Sequence, residues 1–334
     1  MALRQTFFAP MHPFASPVSR RRFLTTSSAA AMGLALGQPA QAKEFKTKLY
    51  GAKIVGKADE ATLRPLKEAG FDGVEVSGII PEDQAKRDRE VVEKLGMRVH
   101  SVLRGWAEFN SDDPKKLEDS YALTEAALRT AHGFGSDTIL LVPCRVALVK
   151  MPDPWDFDVE FDPATNHLTR VVKGDNAPYQ AYINAHNKAI DGSREQVKRL
   201  IPLAEKLGVV IGLENVWNNL WVRPDHYQNF VASFDNPWVK SYLDVGNHVK
   251  YLVPMEEWVR KLGPLVAKIH IKDYALAPDQ HSGKFVHLRD GSMNWPAVRQ
   301  ALDDIGYNGW LTIEDGGLTL PEFRQRLNTI IAGA

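Results

Sequence analysis

The sequence predicts a single-domain (β/α)8 barrel over residues 43–334, and three observations carry that prediction. From residue 47 onward, short apolar runs of β type alternate eight times with amphipathic stretches, the pattern of consecutive parallel βαβ units. The first strand is followed by "YGAKIVGKADE", which lacks the G-x-G-x-x-G phosphate fingerprint of the runner-up architecture, a doubly wound open sheet. The last four strands each end in a ligand-type side chain, and a barrel gathers its function at such strand ends.

The elements follow in order. "KLYGAKIV" is the first strand, and its helix "ADEATLRPLKEAG" opens on Asp59 and Glu60 and stops at Gly70, as helix-dipole and capping arguments require. "DGVEVSG" is the second strand, followed by the helix "PEDQAKRDREVVEKLG". "MRVHSVL" and "DTILLVPC" are the third and fourth strands, separated by the helix "DPKKLEDSYALTEAALRTAHGFG". Residues 145–178, rich in Pro, Asp and aromatics, then interrupt the alternation; they are too short for a second domain and read as an irregular, lid-like loop over the barrel mouth. A helical stretch ending in "REQVKRLIPLAEKLG" leads into the fifth strand, "VVIGLE". The rest reads as helix "RPDHYQNFVASF", strand "VKSYLD", helix "PMEEWVRKLG", strand "VAKIHIKD", a loop, helix "NWPAVRQALDDIG", strand "GWLTIED" and helix "TLPEFRQRLNTIIAG".

Residues 1–42 stand apart. They hold Arg4, Arg20, Arg21 and Arg22 and no acid, so the remainder carries 37 of the 41 bases against all 41 acids. A mildly acidic body argues against nucleic acid as the default partner, because phosphate binding needs clustered Lys and Arg. The order of the arginine cluster, Phe23-Leu24, a short apolar segment from Ala29 to Leu36 and Ala40-Gln41-Ala42 resembles a twin-arginine export signal, cleaved before Lys43. That apolar segment is too short to span a bilayer, so stable membrane insertion is not expected and a periplasmic location is. The single cysteine, Cys144, ends an apolar run and reads as a buried inert thiol.

Glu214, Asp244, His270 and Glu314 end the fifth to eighth strands, which are neighbours around one rim. Three carboxylates and one imidazole make a hard, oxygen-rich set suited to Mn²⁺ first, with Mg²⁺, Co²⁺ or Zn²⁺ as alternatives. The motifs "GLENVWN", "YLDVGN", "KIHIKDY" and "LTIEDGG" resemble those of the xylose-isomerase-like barrel superfamily, in particular the sugar phosphate isomerases/epimerases. The resemblance covers the whole mature chain, including "GFDGVEVSG" and "HLRDGSMNWPAVRQAL".

It implies that Glu214, Asp244, His270 and Glu314 bind one divalent ion, and that Glu214 and Glu314 also form the catalytic acid/base pair. Physical chemistry is consistent with that double role: a cation holding a carbonyl and its neighbouring hydroxyl stabilises an enediolate as it forms, while one glutamate removes a proton and the other returns it. The substrate so implied is a sugar or keto-sugar, and the reaction an isomerisation or epimerisation. Loss of a hydroxyl or glycosidic oxygen from the same enediolate would make a keto-glycoside eliminase or dehydratase instead. A metal-dependent phosphodiesterase and a non-catalytic sugar-binding module are the remaining readings, and homo-oligomerisation is left open.

The chain departs from the ketose epimerases of that group. It has Asn247 and then His248, Leu220 and Leu276 where those enzymes carry a histidine, a second glutamate and an arginine. Candidate substrate contacts are Glu75, His100, Trp106, Asn218, His248, Lys272 and Arg289, drawn from strand ends and adjoining loops. Arg104, Asn215, Asn219, Trp155, Trp217 and Trp221 are further mouth candidates, the tryptophans as platforms for the C–H faces of a sugar.

Overall fold

A computed structural model describes residues 44–334; the leader expected over residues 1–42 lies outside the described residues. In chain order the elements are β1 (Leu49–Val55), α1 (Glu60–Glu68), β2 (Gly73–Val76), α2 (Glu82–Lys94), β3 (Arg98–Trp106), α3 (Pro114–Phe134), β4 (Thr138–Val142), β5 (Glu160–Asp162), β6 (His167–Arg170) and α4 (Gln180–Leu207). Then come β7 (Val210–Glu214), α5 (Pro224–Ala232), β8 (Val239–Asp244), α6 (Met255–Leu262), β9 (Val266–Ile271), β10 (Asp273–Leu276), β11 (Gly283–Val286), α7 (Trp295–Asp304), β12 (Gly309–Ile313) and α8 (Leu320–Ile331).

Eight of these strands close into the expected barrel, in the order β1-β2-β3-β4-β7-β8-β9-β12, all parallel, with β12 returning to β1 through Leu49 opposite Gly309. Helix boundaries follow local chemistry. Asp59 and Asp113 cap α1 and α3 by accepting backbone N–H bonds from Thr62 and Lys115, both at 2.9 Å. Helices α3 and α4 end on Gly135 and Gly208, whose φ values of 68° and 65° are the left-handed caps that glycine adopts without strain. Thr319 and Glu322 complete a reciprocal capping box on α8. The main core fills the space between barrel and helices, and a smaller apolar cluster of Leu140, Val142 and Tyr242 joins strands β4 and β8.

Two short antiparallel hairpins were not legible as strands. Within residues 145–178, β5 pairs with β6, and this hairpin docks on α4 and α5. Asn166 donates to the His226 carbonyl at 3.1 Å and to Asn229 Oδ1 at 2.8 Å, and Leu168 N–H donates to Asn187 at 2.7 Å. The loop after β9 is the second hairpin, β10 with β11. Cys144 is buried beside Ser193 Oγ at 3.3 Å, and burial pushes its thiol up to about 12.

Candidate metal centre

Strands β7, β8, β9 and β12 are consecutive around the barrel, and the register puts Asp244 opposite His270 and Glu214 opposite Tyr242. Glu314 follows the last residue of β12, its N–H held by the Ile271 carbonyl at 3.1 Å. The four expected side chains therefore meet: one ligand atom from each of Glu214, Asp244, His270 and Glu314 lies within 4.8 Å of the other three.

The local sequence explains the aim of each group. Asp244 ends its strand because one carboxylate oxygen, Oδ1, caps the turn that follows, accepting from Gly246 N–H at 2.8 Å and Asn247 N–H at 2.7 Å. Its other oxygen, Oδ2, is left buried without a hydrogen-bond partner among the described residues and faces Lys272 Nζ at 3.1 Å. Asn215 fixes the same strand end by exchanging hydrogen bonds with the Asp244 backbone at 2.7 and 2.8 Å. Gly246 is needed there, since a Cβ would overlap the Lys272 side chain and come within 2.8 Å of the Lys272 carbonyl.

His270 is held from behind. Its Nε2 lies 2.9 Å from Glu75 Oε2, which also accepts from the Tyr242 hydroxyl. With Nε2 so engaged, Nδ1 faces Glu214 Oε1 at 3.5 Å and Glu314 Oε2 at 3.2 Å and has no hydrogen-bond partner among the described residues. Two orphaned buried ligand atoms within a set of three carboxylates and one imidazole fit a divalent cation, and a carboxylate behind a ligating histidine is the usual orienting partner.

The electrostatics match that chemistry. Burial pushes Asp244 up to about 7, opposed by Lys272 and reinforced by Glu314 and Glu214. Burial works against a charge on His270, yet the carboxylates of Glu75, Glu214 and Glu314 around it raise it well above the ordinary imidazole range. Burial also opposes ionisation of Glu314, but His270 and Lys272 hold it far below the usual carboxylate range. Lys272 Nζ sits 2.8 Å from Glu314 Oε2 and 3.1 Å from Asp244 Oδ2, and these acids outweigh burial to raise its pKa.

The description "xylose isomerase-like TIM barrel" matches the chain over residues 63–326. The chain belongs to that family. Solved structures with the same fold include 3-keto-D-glucoside 4-epimerase from E. coli, 14% identical with a TM-score of 0.62, covering 85% of this chain and 99% of that one. A D-tagatose 3-epimerase-like protein is 17% identical at a TM-score of 0.62, covering 84% and 96%. D-allulose 3-epimerase from Methylomonas sp. is 18% identical at 0.58, covering 86% and 92%. An uncharacterized protein of Methanocaldococcus jannaschii is 26% identical over 142 residues, 41% of this chain; the match spans 47% of that curated relative.

Around the centre of this xylose isomerase-like barrel, the substrate candidates divide. Lys272 is in it, as its two ion pairs show. Trp106 stands at the end of β3, 44% exposed with the Arg145 guanidinium 4.3 Å over its ring. Glu75 does not line the mouth: it is fully buried behind His270. His100 is deeper still, stacked on Trp310 with ring centroids 4.6 Å apart and bonded to Thr312 Oγ1 at 2.9 Å. His248 turns inward to the Trp221 carbonyl at 2.6 Å and lies 3.2 Å from Asn215; burial lowers its pKa to about 3, so it stays neutral.

Asn218 is buried, its Oδ1 used by Leu220 N–H at 3.2 Å and its carbonyl by Val146 N–H at 2.9 Å. Arg289 adopts a φ of 76° and reaches the Ala334 carbonyl at 3.3 Å, so it serves the chain terminus. Arg104 points out to α3, donating to Thr124 and the Ser120 carbonyl. Asn219 donates to the Val146 carbonyl at 2.7 Å. Trp221 is core, packed on Tyr227 and Phe230, and Trp155 stacks on His281 at 4.2 Å.

The sequence reading missed Tyr242, Lys250 and Phe285. Tyr242 had a usable signal, since it lies two residues before Asp244 and shares its inward face. Lys250, 3.9 Å over Trp217, and Phe285 had none, because a loop sequence does not show which way its side chains turn.

Proposed function

We propose that this protein is a divalent-metal-dependent isomerase or epimerase of a sugar or keto-sugar, moving a proton on a carbon beside a carbonyl. The observation that supports it most is the convergence of two glutamates, from strands β7 and β12, on the same few ångströms as Asp244 and His270. A divalent ion held by these four, Mn²⁺ for preference, would supply Lewis-acid polarisation of the substrate carbonyl. Glu214 and Glu314 would hold or move the substrate proton, one removing it and the other returning it. His270 and Lys272 keep Glu314 in the ionised form that a proton acceptor requires, and the same charges lower its basicity. Lys272, in contact with Glu314, can donate a hydrogen bond to a substrate oxygen and balance one of the acids. Glu214, Asp244 and His270 are buried, while Glu314 is half-buried, so a proton taken up there can exchange with solvent.

A keto-glycoside fits better than a free ketose. Leu220 is wholly buried and Leu276 packs against the core, so neither position offers the polar contact found in ketose epimerases, and the E. coli neighbour acts on a 3-keto-D-glucoside. Elimination is the second reading, favoured by the Lys272 ammonium, a proton donor for a leaving oxygen, adjoining the base. The acidic body disfavours nucleic acid, and among the described residues no helix is long and apolar enough to cross a membrane. We also propose export to the periplasm; N-terminal sequencing of periplasmic material is expected to begin at Lys43, and an intact Met1 in the cytoplasm would refute it.

The experiment follows substrate C–H loss by NMR in D₂O, with metal-loaded protein and a panel of ketoses and 3-keto-glycosides. Glu214→Gln and Glu314→Gln should each lower turnover by at least about 10². In an epimerase, each variant should lose exchange from a different epimer. Near wild-type turnover in both variants would end the proposal.

A further inference from the structure

The β10–β11 hairpin stands directly beside the metal centre and presents an aromatic surface that the chemistry at the four ligands does not use. Its root is rigid: Asp273 accepts from Arg289 N–H at 3.0 Å, Met293 N–H at 3.3 Å and Trp295 Nε1 at 2.9 Å. Across the hairpin Tyr274 is paired with Phe285, and Gly283 allows the strands to close, since a Cβ there would collide with the Tyr274 ring. Phe285 is 45% exposed. It leans on Trp217, ring centroids 5.0 Å apart and inclined by 32°, with Tyr274 edge-on behind it at 5.2 Å.

Two ammonium groups border this pair. Lys272 Nζ, the same atom that contacts Asp244 and Glu314, lies 5.3 Å from the Phe285 centroid, and Lys250 Nζ lies 3.9 Å from that of Trp217. The aromatic pair is thus one lysine head beyond the ligands. It borders the position of a sugar unit held at Glu214 and Glu314, on the side where whatever that unit is joined to would lie. The exposed ring of Phe285, backed by Trp217 and bordered by hydrogen-bond donors, suits a ring with an apolar face and oxygens at its edge. A phosphate is a poorer fit, because the charge of Lys272 is already matched by two carboxylates.

We propose that Trp217 and Phe285 form a subsite for the second ring of a glycoside, the unit attached to the sugar whose proton is moved. This rests on the proposed function for the position of the first ring. It adds that the substrate has two rings, and that its second ring presents a flat apolar face, whether a sugar or an aromatic aglycone.

The test uses unreactive probes on the Mn²⁺-loaded protein: D-glucose, cellobiose and phenyl β-D-glucoside, each titrated by calorimetry into wild type and Phe285→Ala. Phe285 donates no hydrogen bond and is half exposed, so its removal should leave folding and Mn²⁺ affinity unchanged. Wild type is expected to bind at least one two-ring probe about tenfold more tightly than D-glucose, and Phe285→Ala to remove that preference without weakening D-glucose. The probe preferred, cellobiose or the phenyl glucoside, identifies the aglycone class. A preference that survives the substitution, equal affinities for one-ring and two-ring probes, or binding of neither two-ring probe overturns the subsite. Because no probe reacts, these outcomes are independent of proton exchange: no two-ring preference in wild type with intact exchange refutes the subsite alone, and absent exchange with a wild-type preference that Phe285→Ala removes refutes the chemistry alone.

Discussion

Replacing Glu75 with Gln tests whether the buried carboxylate serves the metal centre from behind. Gln fills the same space and can still accept from both His270 Nε2 and the Tyr242 hydroxyl, which converge on Glu75 Oε2. What is lost is charge. A hydrogen bond to an ionised group contributes about 1.5–3 kcal/mol and a neutral one about 1, so the His270 bond weakens by roughly 0.5–2 kcal/mol. That bond fixes the tautomer and the ring angle which turn Nδ1 toward Glu214 and Glu314. The loss should therefore appear as about 2- to 30-fold weaker metal binding, overlapping the range usual for partners of metal ligands.

The neighbouring charge of Glu75 also helps to keep His270 protonated, and its removal eases proton competition with the metal. Calorimetric Mn²⁺ titration at two pH values separates the two effects, since the easing shrinks as pH rises while the lost orientation persists. Thermal unfolding of the chelated protein should change little. Mn²⁺ affinity within twofold of wild type at the higher pH would show that Glu75 merely fills the barrel.

Gly246→Ala should destabilise the protein by about 1–3 kcal/mol and weaken Mn²⁺ binding together, because the new Cβ must displace Lys272; a melt and a titration on one sample check it. Metal affinity should fall as pH falls: Asp244, near 7, and the raised His270 both take up protons that Mn²⁺ must release, giving at least about tenfold weaker binding per pH unit below 7. A pH-independent Kd would refute the ligand assignment. Burial lowers His186 to about 3 and His226 to about 4, so the unfolded chain binds protons there that the folded one refuses. Their contribution to stability is full above about pH 6.5 and is lost toward pH 4, at up to about 2.7 kcal/mol per pH unit for the pair; denaturant melts across that range measure it.

The parts of the site written in the sequence are those fixed by period and position. Glu214, Asp244, His270 and Glu314 could be read because each sits at the end of a strand and parallel strands bring their ends to one rim. Lys272 could be read because it lies two residues past His270. Glu75 was recognisable as inward-facing, but its partner is 195 residues away, and no local pattern distinguishes a substrate contact from a support under a ligand. His248 and Trp221 fail for another reason: near a strand end, a side chain's direction is set by the loop backbone, and both turn into the wall. The hairpins β5–β6 and β10–β11 are three or four residues per strand, too short for alternation to emerge.

The bonds from Glu75 to His270 and from His100 to Thr312 cross from the first half of the chain to the second, over 195 and 212 residues. Loop closure over such spans is slow to be repaid during folding. The candidate ligands all come from the later strands, and the last of them, Glu314, follows β12, the strand that pairs with β1 and seals the barrel, while the orienting carboxylate stands on β2. Tight metal capture then marks completed closure. In refolding, the appearance of high-affinity Mn²⁺ binding should lag the appearance of helix, and the metal becomes a chemical clock for the final step of assembly.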